Sequence, residues 1–418
     1  MIGKYVIIGN SAAALAATGS IRKYDHDGSM LLLNRETGPA YSRVALPYYV
    51  SGELTLEQLL IRQRADYATT DVELVENANV VRIDADGRQV ELADGRRVGY
   101  EKLLIATGSV CAVPPIRGLE TITPHYLWTL EDAKRMRTAA ERARTAVVIG
   151  GGFIGMLIAE ALRKLGIRLT IVEMAPQLLP QLLDAEGGAL FLDAVKDEGV
   201  TVRLKSVVEA VAKVEGQTEV TLRGGETVAA DMVAVAAGVR PDVSVVANGP
   251  CAINKGVLVN EHLETSCPGV YAAGDVAEVK DFLSADRTIH AIWPVAVDQG
   301  VVAGANMAGK RLAYPGSLGM NVVELFKLTL AEVGRFRESA TDDVKLLGGS
   351  GSALYRKVVV DREGRLAGAM YLGDPNGVAE MGVLHGMIKR RAYWRELAQH
   401  RQARISYAYG IYAAARGV

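Results

Sequence analysis

One pattern occurs twice in the chain and constrains its fold more than any other feature. Val6–Ala17 reads VIIGNSAAALAA, and Val147–Leu162 reads VVIGGGFIGMLIAEAL. Each is an apolar run, a turn of small residues and a helical stretch, followed by a second apolar run at Met30–Leu33 or Leu169–Val172. A strand that delivers such a turn into a helix start leaves free N–H groups and the positive end of the helix dipole in one place, which suits a pyrophosphate. Two such units in one chain predict two separate dinucleotide sites.

The remaining apolar runs agree with this. Tyr5–Ile8, Met30–Leu33, Lys102–Ala106, Ala146–Ile149 and Leu169–Val172 show no alternation, as expected of parallel strands covered on both faces, so the class is α/β. The pattern changes from about Pro315. Asn321–Leu330, Ala353–Val360 and Leu366–Leu372 read as strands of an antiparallel sheet, followed by a helix near Gly377–Arg391.

Composition removes several alternatives. Of 418 residues, 47 are Lys or Arg and 48 Asp or Glu, with no long run of one sign, which argues against a nucleic-acid partner and a polybasic membrane surface. No apolar run reaches the ~18–20 residues that span a bilayer, so no membrane span is expected. Lys4 followed by YVIIGNSAAALAATG mimics a short signal peptide but reads better as strand, turn and helix start, and a cytoplasmic protein is expected. Cys111, Cys251 and Cys267 are scattered without a CxxC, so neither a disulfide scaffold nor a dithiol redox pair is read, and all three are expected to be structural. The six histidines show no ligand spacing, and no metal site is expected.

The second turn is a full GxGxxG. Gly150 allows the turn, Gly152 admits the pyrophosphate, Gly155 lets helix and strand pack, and Phe153 and Ile154 open the helix. Glu173 ends the next strand, where a carboxylate can hold both adenine-ribose hydroxyls and repel a 2′-phosphate. Met174 and Ala175 offer no cation, so NADH is expected rather than NADPH. The first turn, Gly9-Asn10-Ser11-Ala12-Ala13-Ala14, keeps one glycine, but Ser11 and Ala14 are small, and Ser11 has a hydroxyl to offer a phosphate. Its ribose position is Asn34, with Glu36 as a substitute two residues on. Alone, this segment reads equally as a nucleotide site or an ordinary strand–helix turn.

Three further segments decide between these readings. Leu104-Ile105-Ala106-Thr107-Gly108 and Ala234 through Pro241 each end a strand in a glycine turn (Gly108 and Gly238), and Val270-Tyr271-Ala272-Ala273-Gly274-Asp275 ends one in an acid. In this order the set resembles the pyridine nucleotide–disulfide oxidoreductases over nearly the whole chain. The resemblance implies two dinucleotide-binding, Rossmann-like three-layer domains plus a small α+β C-terminal domain. The first is a discontinuous FAD-binding domain (1–113 and 240–314), the second an NAD-binding domain (114–239), and the third an interface domain (315–418) with an extra tail. It implies that FAD meets Gly9, Ser11, Ala12, Ala13, Asn34, Arg35, Arg43, Val80, Ala106, Thr107, Gly108, Gly274, Asp275 and Pro294, with Asp275 at the ribityl chain. NAD is implied to meet Gly150, Gly152, Phe153, Ile154, Gly155, Glu173 and Gly238. Pro294 suits a first helical turn, and the family's helix there directs its positive end at the flavin. Trp293 either flanks the ring or packs in the core.

The stretch ETGPAYSRVALPYY, Glu36–Tyr49, resembles the loop of the nitrite-reductase flavin domain and of NADH:rubredoxin or ferredoxin reductases. Its LPYY is also similar to coenzyme A-disulfide reductases and NADH oxidase/peroxidases. Those carry a redox cysteine two residues before LPYY, where this chain has Val44, and the peroxidase histidine falls at Ala12. The Lys–Glu pair of many ferredoxin reductases falls at Tyr48 and Leu157, and losing both avoids burying one unpaired charge. Tyr48 is then a candidate for contacting nicotinamide or substrate, or else an aromatic in the loop core. The expected activity is hydride transfer from NADH to FAD, and electrons then go to a protein acceptor, either rubredoxin- or ferredoxin-like or a partner enzyme subunit. Direct reduction of oxygen, a quinone or another small oxidant is the alternative. A third reading is an NADH- and FAD-responsive binding protein resembling apoptosis-inducing factors. Assembly is expected as a homodimer or in a hetero-complex, and the tail Trp394–Val418 (with Tyr407, Tyr409 and Tyr412) docks on its own C-terminal domain or on a partner.

Overall fold

In the computed structural model, which describes residues 1–247, 249–339, 341–346 and 353–395, both repeats form parallel sheets. The chain divides into two compact units. One comprises Met1–Tyr49, Leu54–Cys111 and Val239–Leu318, and the other Val50–Glu53, Ala112–Gly238 and Gly319 onward. Among the described residues, the helices longer than eleven residues are α1 (Ala12–Tyr24), α2 (Phe153–Lys164), α3 (Ala185–Asp197), α4 (Trp293–Met307) and α5 (Val378–Lys389). No described helix is long and apolar enough to cross a membrane.

In the first unit the strands run Val72–Val75, Met30–Leu33, Ile2–Ile8, Arg97–Ile105 and Val270–Ala272 in parallel register. Gln89–Leu92 and Val80–Asp84 extend the sheet antiparallel. The parallel strands bury nearly every side chain, with Val6, Ile7, Leu32 and Leu103 to Ile105 fully enclosed, which is why no alternation is visible in their sequence. Strand order reverses at Ile2–Ile8, and such a switch point opens a crevice at the carboxyl ends of the strands.

α1 and α4 pack closely in this unit. A Cβ at Gly300 would collide with the Ala13 carbonyl oxygen, and one at Gly304 with that of Ala17. Ser20 Oγ donates to the Val301 carbonyl at 2.7 Å. Only glycine on one helix facing alanine on the other permits this approach.

The second unit repeats the parallel order with Thr201–Arg203, Arg168–Val172, Thr145–Ile149 and Met232–Val235. It adds an antiparallel sheet of Val208–Val214, Gln217–Leu222 and Thr227–Ala230. A five-stranded antiparallel sheet follows, in the order Met320–Leu325, Leu328–Gly334, Leu366–Gly373, Ala353–Val360 and Asp343–Leu346, with α5 against it.

Two expectations need correction. Asn321–Leu330 is not one strand but parts of two, turning at Phe326 and Lys327, whose φ values of 50° and 63° are left-handed. That turn is held from outside. Phe326 sits edge-on to Phe191 at 6.0 Å, and Lys327 Nζ lies 2.6 Å from Glu198. Cys251 and Cys267, although scattered in sequence, are joined in a disulfide inside the first unit's core. The tail beyond Arg395, with its three tyrosines, lies outside the described residues.

Candidate dinucleotide sites

The two glycine turns are built alike. Gly9 (φ 126°) follows its strand beneath the Ala106 carbonyl, and Gly150 (φ 107°) follows its strand beneath the Ala236 carbonyl. At either position a Cβ would run into that oxygen. Gly155 lies under the Gly150 carbonyl with no room for a side chain, and its counterpart in the first unit is the buried Ala14.

Both helices leave their first-turn N–H groups to a ligand. Neither Ser11 nor Gly152 makes a side-chain cap, and neither α1 nor α2 has an acid in its first turn. By contrast, Asp184 caps α3 by accepting from Gly187 N, and Glu186 follows it. Uncapped N-termini without acids, beside backbone that tolerates close approach, fit pyrophosphate groups. A Cβ at Gly152, Gly108 or Gly238 would stand in open space, so these positions line openings rather than core.

The ribose positions differ between units. Glu173 is buried, accepting at 2.6 Å from Gly151 N through Oε2 and at 2.6 Å from Ala175 N through Oε1. The carboxylate is thereby oriented, and each oxygen keeps a lone pair. Met174 beside it is 75% exposed. In the first unit Asn34 Oδ1 accepts from Glu36 N at 3.2 Å, and its amide donates to the Gly38 carbonyl at 3.1 Å. Glu36 accepts from the Tyr41 hydroxyl and pairs with Arg43.

The other residues singled out in the first unit gather at the strand ends. Gly274 sits between the starts of α1 and α4, where its Cβ would lie 3.2 Å from Ala13 Cβ and 3.7 Å from Ala296 Cβ. Asp275 accepts from Ser109 Oγ at 2.6 Å, and burial pushes its carboxyl up, against the opposing pull of Ser109 and Arg43. Thr107 Oγ1 donates to the Asp242 carbonyl, and Arg35 pairs with the Asp242 carboxylate at 3.1 Å. Val80 is a buried strand residue two positions beyond Ala78, whose N–H bonds the Asn34 carbonyl. Pro294 is in the first turn of α4, Trp293 packs half-buried on the unit's core, and Tyr48 is half-buried on the short helix Leu46–Val50. In the second unit Phe153, Ile154 and Gly155 open α2 after Gly152, and Gly238 lies three residues past the strand Met232–Val235.

Three supporting residues escaped the sequence reading: Ser109, Asp242 and Gln299. Ser109 was signalled only by following Gly108. Gln299, one of two buried amides (with Asn306) among the mostly small and apolar residues of α4, was the readable sign of a buried polar contact.

The comparisons agree with this architecture. The family model described as pyridine nucleotide-disulphide oxidoreductase matches residues 3–300. The NADH-dependent phenylglyoxylate dehydrogenase subunit epsilon of Aromatoleum evansii is 34% identical over 390 residues, covering 93% of this chain and 92% of that one. The rubredoxin-NAD(+) reductase of Pseudomonas putida is 28% identical over 316 residues, 74% of this chain and 81% of its own length. Among solved structures, the NAD-dependent persulfide reductase of A. fulgidus superimposes with a TM-score of 0.89 at 28% identity, over 96% of this chain and 79% of that one. The chain belongs to the pyridine nucleotide-disulphide oxidoreductase family, whose members bind FAD and NAD(P)H, and is an NAD(P)H-dependent flavin oxidoreductase.

Proposed function

We propose that the chain carries electrons from NADH through FAD to a protein, either a small rubredoxin- or ferredoxin-like carrier or a partner subunit of a larger enzyme. When bound, FAD supplies an acceptor for the hydride of NADH that can then pass electrons on. The protein's own contribution is placement. Gly150, Gly152 and the first turn of α2, with Phe153, Ile154 and Gly155, hold the NADH pyrophosphate, Glu173 takes the ribose hydroxyls, and Gly238 lines the opening. Gly9, Ser11, Ala12 and Ala13 hold the pyrophosphate of FAD. Asn34, Arg35 and Val80 lie on its adenosine side, Ala106, Thr107 and Gly108 along its length, and Gly274 and Asp275 at its ribityl chain, with Arg43 beside Asp275. The α4 N-terminus at Pro294 brings positive potential to the ring, with Tyr48 and Trp293 as its aromatic neighbours.

One observation carries the choice of acceptor. Val44, at the position where disulfide-reducing relatives hold their nucleophile, is an apolar side chain 58% exposed on the turn Arg43–Ala45. Cys251 and Cys267 are tied to each other in the core, and Cys111 lies on the short strand Ser109–Cys111. Electrons that have no thiol to pass through leave from the flavin edge, which requires the acceptor to dock. The names of the relatives support this, since one is a subunit of an NADH-dependent dehydrogenase and another a rubredoxin reductase.

The test is NADH oxidation by the yellow holoprotein with rubredoxin, with ferredoxin or with oxygen alone, together with the proteins that co-purify with it. Strong stimulation by a protein carrier, or a stable complex with a dehydrogenase subunit, is expected. Oxygen consumption equal to the total NADH oxidised would replace this reading with direct small-oxidant reduction. Assembly changes without turnover would replace it with a binding role.

A further inference from the structure

The loop from Asn34 to Arg43 holds a closed cluster of three side chains. Glu36 accepts from the Tyr41 hydroxyl at 2.7 Å through Oε2 and pairs with Arg43 Nη2 through Oε1. The Arg43 guanidinium lies over the Tyr41 ring, 5.3 Å from its centre. Each member of the cluster therefore touches the other two.

The backbone pins two of the three. Asn34 Oδ1 accepts from the Glu36 N–H at 3.2 Å, and the Asn34 amide closes the same loop on the Gly38 carbonyl at 3.1 Å. Tyr41 is buried, with hydrogen bonds to a neighbouring segment on both sides of it. Ile61 N donates to the Ala40 carbonyl at 2.9 Å, and Ser42 N to the Leu59 carbonyl at 2.8 Å. Glu36 and Tyr41 are thus placed by their own backbone, whereas Arg43 reaches them on a long side chain. A long side chain still sampling its rotamers loses that entropy when it meets a ligand, and one already clamped does not.

The Glu36 charge has two opposed effects. It offsets part of the attraction of Arg43 for an anion, and it fixes where the guanidinium stands. The second outweighs the first, because a hydrogen bond is lost within a few tenths of an ångström whereas Coulomb attraction falls slowly. A guanidinium has five N–H donors, more than one carboxylate oxygen can take, and its planar fork matches phosphate oxygens.

We propose that Glu36 and Tyr41 are positioning residues that hold the Arg43 guanidinium for the pyrophosphate of FAD, the charged part of that molecule. Glu36 acts through Arg43 and not on the adenine ribose. This inference rests on the reading of Arg43 as an FAD contact.

The test is titration of apoprotein with FAD, read by flavin fluorescence, in single and double variants. Arg43→Ala should weaken FAD about 10- to 100-fold, the worth of hydrogen bonds to a charged group. Glu36→Ala should cost about tenfold, and Tyr41→Phe, which keeps the ring and removes one bond, a few-fold. The double variant Glu36→Ala/Arg43→Ala should bind no more weakly than Arg43→Ala alone. If its loss is instead the product of the two single losses, the proposal is overturned, since Glu36 then meets FAD itself or merely supports the loop. Tighter binding by Glu36→Ala would overturn it as well, by showing that its charge counts for more than its grip. If Glu36→Ala does not fold, Tyr41→Phe asks the same question, and its loss should vanish when Arg43 is already Ala. Arg43→Ala separates the two levels. If that variant binds FAD as the wild type does, the reading of Arg43 at the FAD site fails, and the proposal with it.

Discussion

Both glycine turns place a left-handed residue beneath the carbonyl of the next strand end, Gly9 under Ala106 and Gly150 under Ala236, yet they obtain close packing differently. In the second unit it is local, because Gly155 lies directly under the Gly150 carbonyl. In the first unit the corresponding residue is Ala14, and the small residues that matter are on another helix, where Gly300 and Gly304 meet the carbonyls of Ala13 and Ala17. The ribose position shows the same contrast. Glu173 is oriented by two backbone N–H groups, whereas Asn34 keeps the bond to the residue two positions on and gives its other atom to Gly38. A nucleotide motif can thus lose its glycines where tertiary packing supplies the missing space.

The largest expected effect comes from the shared element. Gly150→Ala puts a side chain into the Ala236 carbonyl at an unfavourable φ and should leave a yellow protein whose reduction by NADH falls ~100-fold or more. Gly9→Ala should instead cost FAD retention. If either variant loses both nucleotides equally, the two turns are not separate sites.

A second comparison concerns pH. In the second unit Glu332 is buried, bonded among the described residues by Asn321 at 2.6 Å, and burial raises its carboxyl to about 7. A raised carboxyl carries no penalty below its unfolded pKa of about 4.3. The penalty grows as pH rises toward 7 and is fully present above it. Glu332→Gln should therefore stabilise the second unit at pH ~8 by on the order of 3 kcal/mol and change little at pH ~4. Equal stabilisation at both values in thermal melts would show that the carboxyl does not titrate in this window.

The ribose contrast predicts a smaller effect. NADH should reduce the flavin at least ~10-fold faster than NADPH at low concentration. Glu173→Ala should narrow the gap by weakening NADH, and Met174→Arg should help NADPH. Stopped-flow reduction by each cofactor measures this, and equal wild-type rates would mean that Glu173 does not touch the ribose. The smallest effect separates Ala14 from Gly155. Ala14→Gly should lower stability by about 1 kcal/mol, the helical cost of glycine, and leave FAD in place. Gly155→Ala should disable NADH binding.

The parts legible in the sequence were those whose cause is local. Met30–Leu33 and Ala353–Val360 match the structure to the residue, the first because it is an apolar run between Ser29 and Asn34, the second because its aromatic and β-branched residues run between Ser352 and Asp361. The hairpin at Phe326–Lys327 was not legible, since its turn contains neither Gly nor Asn. It is tolerated only because Phe191 and Glu198 hold it from α3 and just beyond. The disulfide of Cys251 and Cys267 was hidden for a similar reason, as a spacing of 16 residues carries no signal until the chain folds back. At the site, Glu173 and Asp275 follow from motif position, whereas the occupation of Asn34 by its own loop and the buried amide of Gln299 depend on neighbours distant in sequence.

The packing of α4 on α1 sets an order of assembly during synthesis. Gly9 and α1 leave the ribosome first, but the glycines that let α1 settle, Gly300 and Gly304, emerge nearly 300 residues later. Chains emerge at only ~5–20 residues per second. The Gly150 turn, its strand partners and Glu173 are all present once Val235 is made. The nucleotide turn nearest the N-terminus is therefore the last of the two to be finished, and a chain halted before α4 leaves α1 without its partner.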